Sequence, residues 1–348
     1  MRLVTIVVLA ISALPLTAAD PLYTQSGVAG WTAVGAGSEL LPLNGGINFA
    51  YTISPGSRNV AYMPVAGLSF TGFQSMRFAL STDAPTPIAI MLSEKKPGGG
   101  NYTAVVWSPG KQAQPVALSP ADFAITDGPT DPVDTDGILD LDQVESIAIV
   151  DLGQFFTATA TGGAPFHVRP REGRHFLFIE GFRLLRDPLP APESGVVDNF
   201  SRLAPAWFTP GEAVIGQNNG TLKIAYRQLT EEFVAFLRQL PKGDYAGATH
   251  LAMDIGSARS AQLLFSITER RDGDKPGPRY NADFLVFGGT QPDHRELALD
   301  AFTLDENGPP DPRGKLDPNN IQSLAIVDVS GESAENTLTL HDLRLVKR

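Results

Sequence analysis

The sequence predicts an all-β protein of two tandem β-sandwich domains, and three observations predict it. The stretch Ser323-Leu-Ala-Ile-Val-Asp328 has a twin, Ser146-Ile-Ala-Ile-Val-Asp151, 177 positions earlier (323 − 146). Each copy is a short apolar run with β-branched residues at its centre, the pattern of a strand buried on both faces. Runs of this kind recur along the chain between clusters of Gly, Pro, Asn and Asp, as a sandwich of short strands requires. At 348 residues, 43% of them hydrophobic, the chain is long for one core and rich enough for two.

Aligned on the repeated strand, other positions fall into register. Trp31 meets Trp207, Phe49-Ala-Tyr51 meets Ile224-Ala-Tyr226, and Gly72 meets Gly247. Met76–Leu80 meets Leu251–Ile255, Ser93-Glu-Lys-Lys96 meets Thr268-Glu-Arg-Arg271, and Tyr102 meets Tyr280. Leu118 with Phe123 parallels Leu299 with Phe302, so the offset stays between 175 (247 − 72) and 181 (299 − 118). A period this long is a duplicated domain, since solenoid repeats run to a few tens of residues.

Taken in order, residues 1–19 have the form of a cleaved export signal. Arg2 precedes an apolar stretch broken by Ser12 and Pro15, and Thr17-Ala-Ala19 offers small residues before Asp20. The expected location is therefore secreted or periplasmic, and no later run is apolar for long enough to span a bilayer. The first domain covers residues 20–187. It carries an extra segment read as a hairpin at Gln154–Gly163, followed by a basic loop to Arg174. Residues 188–195, inside the Pro-rich run Arg186–Gly195, make a semi-stiff linker. In the second domain, residues 196–348, strands are expected at Thr221–Tyr226, His250–Ile255, Gln262–Thr268, Asp283–Phe287, Gln322–Asp328 and Thr337–Val346. The segment Leu229–Leu240 has apolar residues at helical spacing, with Thr230 placed to cap it, and predicts a short helix.

A net charge of −11 argues against a nucleic-acid partner and fits neutral polymers or divalent cations. The chain has no cysteine, so neither disulfides nor a thiol nucleophile are available, and export without disulfides suits a bacterial envelope. No HExxH, G-x-S-x-G, P-loop or dinucleotide-binding motif occurs.

Val197-Asp-Asn-Phe200 followed by Trp207, with Leu299 and Phe302, Ile321–Asp328 and the closing Leu338–Leu343, resembles the galactose-binding-like jelly rolls. Family 11 carbohydrate-binding modules and complex I intermediate-associated protein 30 domains are the groups it is similar to. The resemblance spans most of residues 196–348 and, more weakly, 22–187. It implies jelly-roll sandwiches and a calcium ion near the chain ends of the second domain, held by Asp198 and Asp342 with backbone carbonyls. At these places the first copy has Leu22 and Gly181.

Aromatic rings pack on the apolar faces of sugars. The candidate carbohydrate-binding residues are accordingly Tyr51, Tyr102, Trp107, Tyr226, Tyr280 and the adjacent Arg279, while Trp31 and Trp207 are expected in the cores. The acidic loop Asp131–Asp142 matches a calcium-binding loop poorly, with Pro132 and Gln143 at its end positions, and reads as a solvated turn. The leading expectation is a non-catalytic polysaccharide-binding protein with avidity from two modules. The alternative is an assembly protein that binds other envelope proteins. An enzyme with a carboxylate pair ranks below both.

Overall fold

The computed structural model describes residues 21–348 apart from 44, 66–67, 96–97, 127, 129, 135, 160–165, 192, 231, 244, 272–276 and 290. The proposed export signal lies outside the described residues. In the first half the elements are β1 (Pro21–Thr24), β2 (Thr32–Val34), β3 (Glu39–Leu43), β4 (Gly46–Ile53), β5 (Val60–Pro64), β6 (Ser75–Thr82), β7 (Thr86–Glu94), β8 (Asn101–Ser108), β9 (Gln114–Leu118), β10 (Ala124–Ile125), β11 (Val144–Asp151), α1 (Gly153–Thr159) and β12 (Gly173–Leu185). The second half holds β13 (Val196–Asp198), β14 (Ala213–Asn218), β15 (Thr221–Gln228), β16 (Val234–Gln239), β17 (His250–Ser257), β18 (Ala261–Glu269), β19 (Arg279–Val286), β20 (Asp293–Ala298), β21 (Thr303–Leu304), β22 (Ile321–Asp328) and β23 (Ala334–Val346).

The duplication is written into the strand order. One sheet of the first half runs β3-β4-β12-β6-β9 with β1 on β12, and its counterpart runs β14-β15-β23-β17-β20 with β13 on β23. The second sheets run β10-β8-β7-β11-β5-β2 and β16-β22-β18-β19-β21. The named strands all pair antiparallel, and the two sheets of each half enclose one apolar core, so each half is a β-sandwich jelly roll. The repeated strands β11 and β22 are buried because each has neighbours on both edges and core on one face. Trp31 and Trp207 are core residues, and Gly72 and Gly247 share the same left-handed turn conformation, φ 82° and 75°.

The structure corrects four expectations, two of element type and two of register. Leu229–Leu240 contains β16, not a helix. Val234, Phe236 and Leu240 point into the core, while Phe233 packs on Phe166 and Leu237 bridges Phe208 from outside. Apolar cover on both faces of one strand imitates helical spacing. The segment expected as a hairpin starts as α1 instead, pinned by the buried Gln154, whose amide hydrogen-bonds Asn59 and Asp151 backbone atoms. Phe155 and Phe156 find separate partners, the Arg58 guanidinium and Phe208, and the alternation that suggested a hairpin lies in the Thr and Ala residues that follow them. Leu118 corresponds to Leu297, not Leu299, since these residues lie opposite Met76 and Leu251. Asp198 corresponds to Gln25, not Leu22: Gln25 bonds Phe182 as Asp198 pairs with Leu343.

The first half is longer than the second between the repeated strand and the last strand, by 16 residues (177 − 161). These residues join the two halves. After α1, His167 N donates to Phe233 O at 2.7 Å and Arg169 N to Pro210 O at 3.0 Å. His167 and Arg169 also pair with Glu232 and Glu212. The outward residues Val105 and Trp107 of β8 pack into the second half's core cluster, and Trp107 N donates to Pro205 O at 2.8 Å. Arg271 adds a clasp by donating to the carbonyls of Gly128, Asp131 and Pro132 at 2.7, 2.9 and 3.1 Å. The acidic loop is therefore a docking element between the halves as well as a turn.

Candidate functional site

The four candidate tyrosines are buried and serve the cores. Tyr51 and Tyr226 each donate a 2.5 Å hydrogen bond to the aspartate that ends the repeated strand, Asp151 and Asp328. Tyr102 and Tyr280 donate to Asp134 and Asp311 of the acidic loops. Burial, then the adjacent carboxylates, push all four phenols up from the ordinary value. All four are 5% exposed or less, too little for a sugar to stack on, although Tyr226 contributes to the lining of a cleft between the halves. Arg279 is committed to Asp305, with Nε 2.6 Å from a carboxylate oxygen, and Trp107 is sealed in the contact between the halves at 2% exposure. The sequence signal that selected the four tyrosines, an aromatic at matching positions in both copies, marks a duplicated structural lock.

Glu94 and Glu269 complete that lock. Glu94 accepts from the amides of Gly100 (2.9 Å) and Asp140 (2.5 Å), and Glu269 accepts from the amide of Asp317 at 2.7 Å. Both carboxylates are buried, so each ties a hairpin to its acidic loop. The copies differ at one charge. Arg313 bridges Glu269 and Asp311 in the second half, where the first has Asp136 (313 − 177). Glu94 is accordingly raised by burial and by Asp134 and Asp140, whereas Arg313 chiefly holds Asp311 down at about 2.

The residues proposed for calcium do not fit it. Asp198 is buried, accepts from the Phe200 amide at 2.9 Å and lies 3.4 Å from the Arg238 guanidinium. Burial raises its carboxyl, and Arg238 opposes the shift. Asp342 sits in a bulge at φ 45°, matching Gly181 at φ 62°, and both of its oxygens are 2.7 Å from Arg344 Nε. Each carboxylate already faces a guanidinium, and among the described residues no group of three acidic or histidine side chains could hold a metal.

The outer faces of β12 and β23 diverge in a way that does point to a surface. Leu177 and Ile179 enter the core, so the alternate residues Arg174, Phe176, Phe178 and Glu180 project outward from the middle of their sheet. Phe176 and Phe178 are half-buried, with ring centroids 6.4 Å apart and planes within 17°. Their neighbours across the ladder are short: Ala50 and Asn48 on β4, and Ser81 on β6. Arg174 lies 5.8 Å from the Phe176 ring and pairs with Glu39 at the rim. In the second half Thr337 and Thr339 occupy these positions, because Leu177 and Leu338 are equivalent in register. The sequence signal was the alternation Arg-His-Phe-Leu-Phe-Ile-Glu from 174 to 180, which has no aromatic twin and so escaped a comparison of the copies.

On the second half the same face forms one side of a cleft of about 610 Å³. Arg227, Glu335, Asn336 and Thr337 line its floor, with Glu212 at the β14 side. Pro85, Trp107 and Arg169 of the first half form the opposing wall. Arg169 Nε and Glu212 are 3.1 Å apart across the join. The buried Asn336 is fixed by Ser257, Arg259, Thr337 and Tyr226.

No family model matches the chain, and no curated protein does. Among solved structures it is similar to the family 11 carbohydrate-binding module from Clostridium thermocellum, in complex with a β-1,3-1,4-mixed-linked tetrasaccharide. Identity is 18% over 45% of this chain and 98% of that one, with a TM-score of 0.37. It is also similar to the tandem CBM22-1–CBM22-2 domain of Paenibacillus barcinonensis Xyn10C, with 10% identity over 97% of this chain and 100% of that one (TM-score 0.28). A third similarity is to the agarase AgWH50C, at 14% identity over 44% of this chain and 26% of that one (TM-score 0.35).

Proposed function

We propose that this is an exported, non-catalytic carbohydrate-binding protein whose glycan platform is the outer face of β12. The observation that supports this most is the pair Phe176 and Phe178, two near-parallel rings on a sheet of short side chains with Arg174, Glu39 and Glu180 at the rim. Flat apolar faces beside separated donors and acceptors suit pyranose rings, whose own surface alternates C–H and O–H. Export rests on the pattern of residues 1–19.

The cleft supports a non-catalytic reading through its two carboxylates, Glu212 and Glu335. Glycosidases need one carboxylic acid kept protonated by an apolar setting. Here both side chains are solvent-exposed, and Glu212 is salt-bridged to Arg169.

Affinity gel electrophoresis of the full chain in mixed-linkage β-glucan, xylan and agarose tests the proposal. Each half-buried phenylalanine has on the order of 1 kcal/mol of burial left to contribute. Losing both in Phe176→Ala/Phe178→Ala should weaken binding about 30-fold. Retardation equal to wild type in that variant would refute the platform. A protein-docking role has one observation in its favour: Leu285 and Phe287, 57% and 67% exposed, stand together at the end of β19. Leu285→Glu/Phe287→Glu should leave glycan binding unchanged if the platform is the site.

A further inference from the structure

We infer that the cleft between the two sandwiches is a second saccharide subsite, assembled from both halves and selective for a neutral oligosaccharide. The inference rests on the carbohydrate-binding reading of the platform. Its floor is the same sheet face as that platform: Glu335 and Thr337 replace Arg174 and Phe176, and Ala225 replaces Ala50. The wall facing this floor comes from the first half, from Pro85 and Arg169 together with the edge of the buried Trp107.

The volume of about 610 Å³ and the position at a domain junction are those of ligand sites. The charges select the ligand class. Arg169 and Arg227 contribute two positive charges, and Glu212 and Glu335 two negative, for a sum of zero. A polyanion or polycation would meet like charge in this cleft, while hydroxyl groups meet both donors and acceptors. The site is also preorganised. The wall is fixed to the floor through His167, Arg169 and Trp107 backbone bonds to the second half. Rigid coupling of an open platform to a walled cleft lets one polymer engage both.

Trp107 makes the cleft observable. It lines the wall, whereas Trp31 and Trp207 are core residues of their own halves. The test is calorimetry plus tryptophan emission on the full chain with neutral tetrasaccharides of mixed-linkage β-glucan and of xylan. Arg227→Ala/Glu335→Ala, both exposed positions, is compared with Phe176→Ala/Phe178→Ala. The inference expects the phenylalanine variant to keep one site with an emission change, and the cleft variant to lose that site by about tenfold or more. An emission change unaltered in the cleft variant, or all binding lost with the phenylalanines, overturns the cleft and leaves the platform standing. If the wild type binds no tetrasaccharide and is not retarded by any polysaccharide, both fall.

Discussion

Replacing Arg238 with methionine, the residue at the equivalent first-half position (Met63), should unfold the second sandwich early. Equivalence follows from register: Ile149 pairs with Ala61 and Ile326 with Phe236, which places Met63 where Arg238 stands. In the first half Gln25 replaces Asp198, so the buried ion pair changes as a unit between the copies. Arg238 and Asp198 are 3% and 3% exposed, and truncating one member of such a pair leaves an uncompensated buried charge, at a cost of about 3–5 kcal/mol. The double variant Asp198→Gln/Arg238→Met copies the uncharged solution and should recover most of that, giving a coupling above about 2 kcal/mol.

The loss should also depend on pH. The Asp198 carboxyl is raised above its ordinary 3.8 by burial, so the folded state binds its proton more tightly than the unfolded state. Its contribution to stability is then full below the unfolded value and is lost as pH rises through the folded one. Without Arg238 to oppose burial, the variant should be closer to wild type under acidic conditions than at pH 7. The assay is urea unfolding followed by Trp207 emission, since that indole lies beside Asp198. A loss under about 1 kcal/mol, or a double variant no better than the single one, would refute the reasoning.

Further outcomes follow from the same contacts. Tyr226→Phe removes the donor to the buried Asp328 and should cost about 1–3 kcal/mol, measured by the same urea titration. The acidic loops should answer pH in opposite directions. Glu94, raised above 4.5, adds stability as pH falls, whereas Asp311, held at about 2, loses its contribution as pH drops from about 4 towards 2. Hydrogen-exchange protection of the Asp140 and Asp317 amides should show this, and Asp136→Arg should raise Asp140 protection at pH 7. Because Asp198 and Asp342 already face arginines, neither chelator nor added calcium should move the thermal midpoint.

The duplicated fold was legible because the constraints on a core repeat with it. Tyr51 and Tyr226, Glu94 and Glu269, and the Val-Asp ends of β11 and β22 keep their chemistry since each fills the same buried position twice. That property misdirected the site assignment. A surface free to diverge does not repeat, so Phe176 and Phe178, which correspond to Thr337 and Thr339, were invisible to a search for shared aromatics. The β16 strand was misread because Arg238, a charge at a core position, broke its alternation, and its reason lies on β13 in Asp198. The insertion after β11 reads from sequence as a hairpin and a basic loop, and its contacts with Phe233 and Pro210 exist only once the second half is folded beside it.

The most direct test of the central claim is retardation of wild type and Phe176→Ala/Phe178→Ala in native gels cast with each polysaccharide. Retardation of the wild type that falls about 30-fold in apparent affinity in the variant, with the urea transition unchanged, is the predicted result. Equal retardation of the two proteins, or none for the wild type in any gel, would contradict it.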